Sequence, residues 1–306
     1  MKNLRIEALL LLLLLPLVPF GRLDAAPDLG ESLDYTLRFR GLLSGFMELD
    51  IATMSLSVGP SLEEMTGRPA YPTRMRLTTE PYKKAELIYP VRLDYRSWLD
   101  EKTLQPLVAV KSLVTRADRR EIFWFDQGEG QAYHYQTPKP GASKPGQTLP
   151  DPLLQMTALT DQGWSGLQEH LRIPLDEEVI VDYMGMLHQL RQLPAEPGKW
   201  FGYTVFTGKR LQHYRVLVDK DRLVRRGWDR DALFLKLFEY DPEQDELKDE
   251  VQIWLSDDEQ RLLLRFYAES TAGALEGILE TGRPDNGHQD ELSDSTRRSL
   301  ETYLDF

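Results

Sequence analysis

The chain has 306 residues, no cysteine, and 37 Lys and Arg against 49 Asp and Glu, for a formal net charge of −12. Without thiols there is no disulfide, no thiolate metal site, no thiol catalysis and no lipid attachment through an N-terminal cysteine, so packing alone must hold the fold. The acidic balance repels phosphate backbones and argues against nucleic acid or an anionic lipid surface as partner; its simplest consequence is solubility.

Lys2 and Arg5 precede an apolar run from Ala8 to Val18, and small residues follow at Ala25 and Ala26. This is the pattern of a secretory signal peptide, although Glu7, Arg22 and Asp24 add charge around it. The apolar core is well short of the roughly 20 residues a membrane-spanning helix needs, so residues 1–25 are expected to be cleaved. The mature chain is then periplasmic or secreted in a bacterium and has no transmembrane span. Cleavage takes three bases from 37 and two acids from 49, which leaves a net charge of about −13.

Period-two alternation dominates the rest. Leu33, Tyr35, Leu37 and Phe39 face one way and Asp34, Thr36, Arg38 and Arg40 the other, as in a half-buried antiparallel strand. A Gly41 to Gly45 turn leads to a second strand over 46–58, and a Gly/Pro/Ser-bearing loop is read over 59–72. Further strands are expected at 74–79, 86–98, 106–115 and 121–126. The segment from Asp126 to Gly130 is a tight reversal, so 131–136 should pair back on 121–125. Pro, Gly, Ser and Lys fill 137–150, a loop or linker. Residues 151–193 read as the helical part of the chain, with Asp182 as the N-cap of a helix that Pro194 stops. Strands return at 200–207, 211–219, 222–227 and 232–240. An acidic connection over 241–250 then precedes a last meander at 251–255, 261–269 and 274–280.

The expected fold is therefore mainly β, a β-rich α+β chain whose curved antiparallel sheet forms a half-barrel or barrel-like body. It divides into an N-terminal β module over 27–150, a helical connector over 151–194 that packs on the sheet, a C-terminal β module over 195–281, and a polar, acidic, flexible tail over 282–306 with a short helix near 295–303. No repeat of twenty to fifty residues is evident, which disfavours a propeller or solenoid.

Four stretches carry a resemblance: Tyr35-Thr-Leu-Arg-Phe-Arg-Gly-Leu-Leu-Ser-Gly45, Asp182-Tyr-Met-Gly-Met-Leu-His-Gln-Leu-Arg191, Phe206-Thr-Gly-Lys-Arg-Leu-Gln-His-Tyr-Arg215 and Val251-Gln-Ile-Trp-Leu-Ser-Asp-Asp-Glu-Gln-Arg261. Over roughly Leu33 to Glu280 the chain resembles the exported bacterial family called domain of unknown function 3108. The resemblance implies an exported, mostly β protein and names no catalytic residue.

The search for chemistry along the chain agrees. His134, His170, His188, His213 and His288 lack metal-ligand spacing, so neither metal nor cofactor is expected. Ser165 lies in Gly163-Trp-Ser-Gly166, which is not a nucleophile elbow. Asp219 and Asp221 open like a calcium loop but the glycine comes at Gly227, too late for one. The acids from Asp241 to Glu250 read as a solvated loop. Asp257, Asp258 and Glu259 are candidates for a glycosidase carboxylate pair, but they sit where a hairpin turn is expected. Asp182 and Arg191 fall on opposite helix faces, so Arg191 should contact another element.

The aromatics are the more suggestive set. Trp124, Tyr133, Tyr135, Tyr183, Trp200, Tyr203, Tyr214 and Trp254, with Trp164 and Tyr267, are spread through both halves, and on a curved sheet alternate positions share one face. The strand through Trp200, Phe201, Tyr203 and Phe206 has apolar residues in both phases and should be covered on each side. The leading expectation is a non-catalytic carrier of an apolar or amphipathic ligand, a lipid or glycan, or a protein that docks an envelope partner. The alternatives are a hydrolase of envelope glycans and a structural subunit that docks through a sheet edge.

Overall fold

The alternating pattern builds one sheet. The computed structural model describes residues 26–41, 47–138, 149–154, 164, 166–175, 179–225, 228–270 and 273–280. The expectations for the signal segment, the Gly41 to Gly45 turn, Ser165, His288 and the C-terminal tail with its short helix fall outside these residues.

The N-terminal strands are β1 (Ser32–Gly41), β2 (Leu49–Val58), β3 (Glu63–Met65), β4 (Arg68–Thr78), β5 (Arg92–Asp100), β6 (Pro106–Val114), β7 (Asp118–Asp126) and β8 (Gln131–Gln136), with a short helix α1 (Lys83–Ile88) before β5. Helix α2 (Asp151–Leu154), β9 (Gln168–Pro174), β10 (Ile180–Val181) and helix α3 (Tyr183–Leu190) come next. The last strands are β11 (Trp200–Phe206), β12 (Leu211–Arg225), β13 (Trp228–Asp241), β14 (Glu246–Ser256), β15 (Leu263–Ser270) and β16 (Gly273–Leu279).

The strand order is β10-β11-β12-β13-β14-β15-β16-β1-β2-β4-β5-β6-β7-β8-β9, with β3 paired to β4. Neighbours are antiparallel except for the short parallel β10–β11 pair. Most pairs join strands close in sequence. The exception is β1–β16, running from Tyr35 opposite Leu279 to Gly41 opposite Gly273, which welds the beginning of the folded chain to its end. The sheet is curved and unclosed, with β9 and β10 at its edges.

Several elements differ from the sequence reading. The connector expected to be helical carries two strands: in β9, half-buried Leu171 and Ile173 alternate with exposed His170 and Arg172, a period-two pattern that pairs with β8. The strand expected from 86 starts only at Arg92, because Pro90 has no N–H for a ladder and the preceding turn winds into α1. The loop read over 59–72 contains the β3–β4 hairpin, whose turn residues Thr66 and Gly67 both have positive φ, 51° and 76°. Residues 211–219 and 222–227 were expected as two strands, but the long β12–β13 ladder makes one of 211–225. The acidic connection over 241–250 is half strand, since β14 begins at Glu246 and pairs with Asp241.

The concave face is apolar and full. Tyr35 and Leu37 of β1, Tyr95 of β5, Phe123 and Phe125 of β7 and Val216 and Val218 of β12 enclose Met184, Met186 and Leu190 of α3. Phe206 of β11 meets Phe123 and Phe125 edge-on, each at 6.0 Å, so strands far apart in the sheet touch across the interior. The Gly208 turn, at φ +79°, closes over Phe123 and His134, where a Cβ would stand 2.7 Å from the phenyl ring. Beside α3 a void of only about 10 Å³ remains, lined by Leu33, Leu56, Met184, His188 and Leu263 among others. On β4–β8 the convex face is covered too: Trp98, Val108, Val110, Ile122, Trp124 and Tyr135 pack under Leu149, Leu153, Trp164 and Leu167. Cover on both faces explains why Leu107–Val110 and Ile122–Phe125 are unbroken apolar runs.

Polar contacts hold α3 at both ends. At its start Asp182 caps the helix, accepting from the Gly185 N–H at 2.6 Å and from the Tyr95 hydroxyl at 2.9 Å. At its end the Arg191 guanidinium makes two 2.6 Å bonds to the Glu31 carboxylate and donates to the carbonyls of Gln260 at 3.0 Å and Arg261 at 3.1 Å. One side chain thus ties the helix to the segment before β1 and to the β14–β15 turn. Burial pushes the Asp182 carboxyl above its ordinary pKa. Burial, with Arg191 beside it, pushes His188 down to about 3, so the imidazole is neutral in the folded protein.

Three outcomes follow from this packing. Gly277→Val places a Cβ 2.1 Å from the Phe266 ring; chemical denaturation should show a loss of about 1–3 kcal/mol or more from overpacking. Arg191→Ala strands the Glu31 carboxylate, with side chains 11% and 9% exposed in the pair, and should cost about 3–5 kcal/mol, while Glu31→Leu with Arg191→Met recovers part of it. His188 binds its proton more weakly folded than unfolded, so its contribution is complete above its unfolded pKa and is lost as pH falls from about 6.5 toward 3. Urea midpoints measured across that window should fall less steeply in His188→Leu than in the wild-type chain.

Candidate functional site

A groove of about 740 Å³ opens where the β3–β4 turn, the β7–β8 turn and the start of α2 meet. Each wall has a local cause. The Thr66-Gly67 pair reverses the chain between β3 and β4. Asp126 holds the second turn, its Oδ1 accepting from the N–H groups of Gly128 at 2.9 Å and Glu129 at 3.1 Å, with Gly130 at φ +61°. Met65, Leu107 and Trp124 give an apolar floor, and Glu63, Glu64, Asp126 and Asp151 stand around it. Glu63 accepts from the Trp98 indole N–H at 2.7 Å, and Arg68 is held by Asp100 at 2.9 Å.

A smaller groove of about 430 Å³ lies at the C-terminal end of α3, between Ala26–Asp28 and the β14–β15 turn, with His188, Arg191, Gln192, Glu259 and Gln260 on its walls. Arg191 is already committed to Glu31 and two carbonyls there, and His188 carries no charge.

The aromatic residues singled out from the sequence do not converge on one place. Trp124, Tyr133 and Tyr135 form a convex-face ladder, with ring centroids 5.1 Å apart for Trp124–Tyr133 and 6.3 Å for Tyr133–Tyr135. Arg172 lies 4.8 Å over Tyr133, and Trp164 is buried over the same face under Arg120. Of this group only Trp124 reaches the groove. Tyr183, Tyr203 and Tyr214 belong to the interior; burial raises the pKa of all three, and a hydrogen bond links the Tyr183 and Tyr214 hydroxyls. Trp254 is buried beneath Phe234 and the Arg265 guanidinium, 4.1 Å from its ring, and donates to Asp221 at 2.9 Å; Arg265 also reaches Tyr267. Trp200, at the start of β11, is 47% exposed beside Phe238, whereas Tyr203, Thr204, Val205 and Phe206 are buried, so the strand is covered on both sides over its second half. Met65, Leu107 and Asp151 escaped the sequence reading because they lie in a stretch read as loop, an ordinary strand and the first position of the stretch read as helical; the Thr66-Gly67 turn between Met65 and Arg68 was the available signal.

The charged candidates are occupied with structure. Asp258 accepts from Ser256 Oγ at 2.6 Å and from the N–H groups of Gln260 and Arg261, each at 3.1 Å, and Asp257 pairs with Arg261 at 2.8 Å. The Arg261 hydrogen bond holds Asp257 below the ordinary carboxylate range. Asp241 pairs with Lys248 at 3.0 Å, and Asp245 accepts from Tyr240. Inside the sheet, Glu121 lies 3.3 Å from Lys111 and 3.2 Å from His134. Burial pushes the Glu121 carboxyl up, but His134 and Lys111 outweigh it and hold it below its usual value. His213 is bonded to Thr204 at 3.0 Å. Among the described residues no group of three His, Asp or Glu is placed to hold a metal ion, and no helix is long and apolar enough to cross a membrane.

No curated protein matches the chain. Among solved structures, the crystal structure of a beta-barrel-like protein of domain of unknown function DUF1849 from Brucella abortus is similar at 12% identity and a TM-score of 0.48, covering 84% of this chain and 98% of that one. A putative lipoprotein from Parabacteroides distasonis ATCC 8503 is similar at 8% identity and a TM-score of 0.26, again over 84% of this chain and 98% of that one. The family model described as protein of unknown function, DUF3108, matches residues 34–280, the span from β1 to the residue after β16, and the chain belongs to that family.

Proposed function

We propose that the protein is exported to the bacterial cell envelope and acts there by binding, seating an apolar or amphipathic ligand in the groove over Met65, Leu107 and Trp124. The observation that carries this reading is the contrast between the two sides of the sheet. Among the described residues the concave side holds α3, and the void beside it is about 10 Å³, too small for any organic ligand, whereas the outer groove offers about 740 Å³, within the range of small-molecule sites. Binding is favoured over glycan hydrolysis because Asp257 and Asp258 are engaged in turn contacts. The apolar run before Ala25 supports export.

The test joins location to cargo. The chain recovered from cell envelopes should begin near Ala26, and mass spectrometry of its extract should show one recurrent apolar or amphipathic compound at near-stoichiometric amount. Trp124→Leu should lower that amount about tenfold, the loss of some 1.4 kcal/mol of contact. Gln127→Trp, which fills the groove from its exposed rim, should do the same without disturbing the apolar layer beneath. A chain that is always empty yet keeps a stable protein companion would replace ligand binding with docking through β9, whose outer side has no strand partner among the described residues.

A further inference from the structure

Taking the groove reading as its basis, we infer that the occupant is a cationic amphipath: a molecule with an apolar chain or ring for the floor and a positive charge for the rim. Four carboxylates, Glu63, Glu64, Asp126 and Asp151, line this one groove. The cation among the lining residues, Arg68, is compensated by Asp100 at 2.9 Å and does not offset them. Glu63 and Asp126 accept from neutral donors, the Trp98 indole and backbone N–H groups, so their charge remains. Glu64 is exposed, as is Asp151, and among the described residues neither side chain has a hydrogen bond or ion pair. Like charges gathered at a concave surface with apolar walls concentrate field lines and attract a counter-charge. The floor of Met65, Leu107 and Trp124 supplies burial for the apolar part, and an indole is the aromatic ring best suited to a nearby ammonium group. An anionic amphipath would meet four negative groups, and a neutral one would leave them uncompensated.

Calorimetric titration of the chain from Ala26 to Phe306 with decyl chains bearing trimethylammonium, maltoside or sulfate heads, each below its micellar concentration, tests the charge directly. At low salt the ammonium should bind about tenfold tighter than the maltoside, and ~0.5 M sodium chloride, where screening acts over a few ångströms, should erase most of the difference. Glu64→Gln with Asp151→Asn should weaken the ammonium about fivefold and leave the maltoside unchanged, since exposed charge pairs contribute only modestly each. Equal affinity for the three heads, with binding lost in Gln127→Trp, would overturn the preference for charge while leaving the groove as the seat. Binding of none of them, or binding indifferent to Gln127→Trp, would remove the groove reading and this inference together.

Discussion

The structure depends on a helix buried inside its own sheet. Helix α3 is eight residues long, too short to be stable alone, and owes its conformation to the apolar walls around Met184, Met186 and Leu190 and to contacts at its two ends. Asp182 turns the first N–H groups into part of a bond network with Tyr95, and Arg191 binds Glu31 and the β14–β15 carbonyls. The strands thus curve around a filler tied to β5, to the entry of β1 and to the β14–β15 turn. The bond between Arg191 and Glu31 ties α3 to the segment that leads into β1, the strand that pairs with β16.

That constraint fills the concave side of the sheet with α3. Aromatic residues that face the interior, Tyr203 and Tyr214 with Tyr183, are consumed by packing, and their hydroxyls are held in an environment that disfavours ionisation. On the convex side two turns and the start of α2 leave a groove open over Trp124. The polar chemistry divides in the same way: Glu121 pairs with Lys111 and His134 within, while Glu64 and Asp151 outside are exposed.

Charge distribution supports the same division. The strand faces away from the core carry Arg and Asp or Glu in compensating pairs, such as Arg74 with Asp94, Arg265 with Glu276 and Arg210 with Glu239. The groove departs from this habit because its carboxylates outnumber the cations that could offset them. Four of the acidic side chains behind the net charge of −12 line this one groove.

Local chemistry was legible wherever one residue or one short period dictates the outcome. Alternation marked the strands; Asp182 marked a helix start through its cap; Asp126 and Gly130 marked a reversal; and the Asp257-Asp258 pair read as a turn on account of the pause between Leu255 and Leu262. Where two local tendencies compete the reading failed, as in β9, where a helical composition yields to Leu171 and Ile173 finding partners on β8, and in α1, where Pro90 delays a strand. Which strands become neighbours at long range, how closely the sheet wraps α3, and that Trp124 rather than Tyr203 or Trp254 lines the groove were settled only by tertiary packing. The reason is physical: alternation says which side chains share a face, but not which face will be filled, and that depends on how far the sheet curls and on which segment reaches its hollow first.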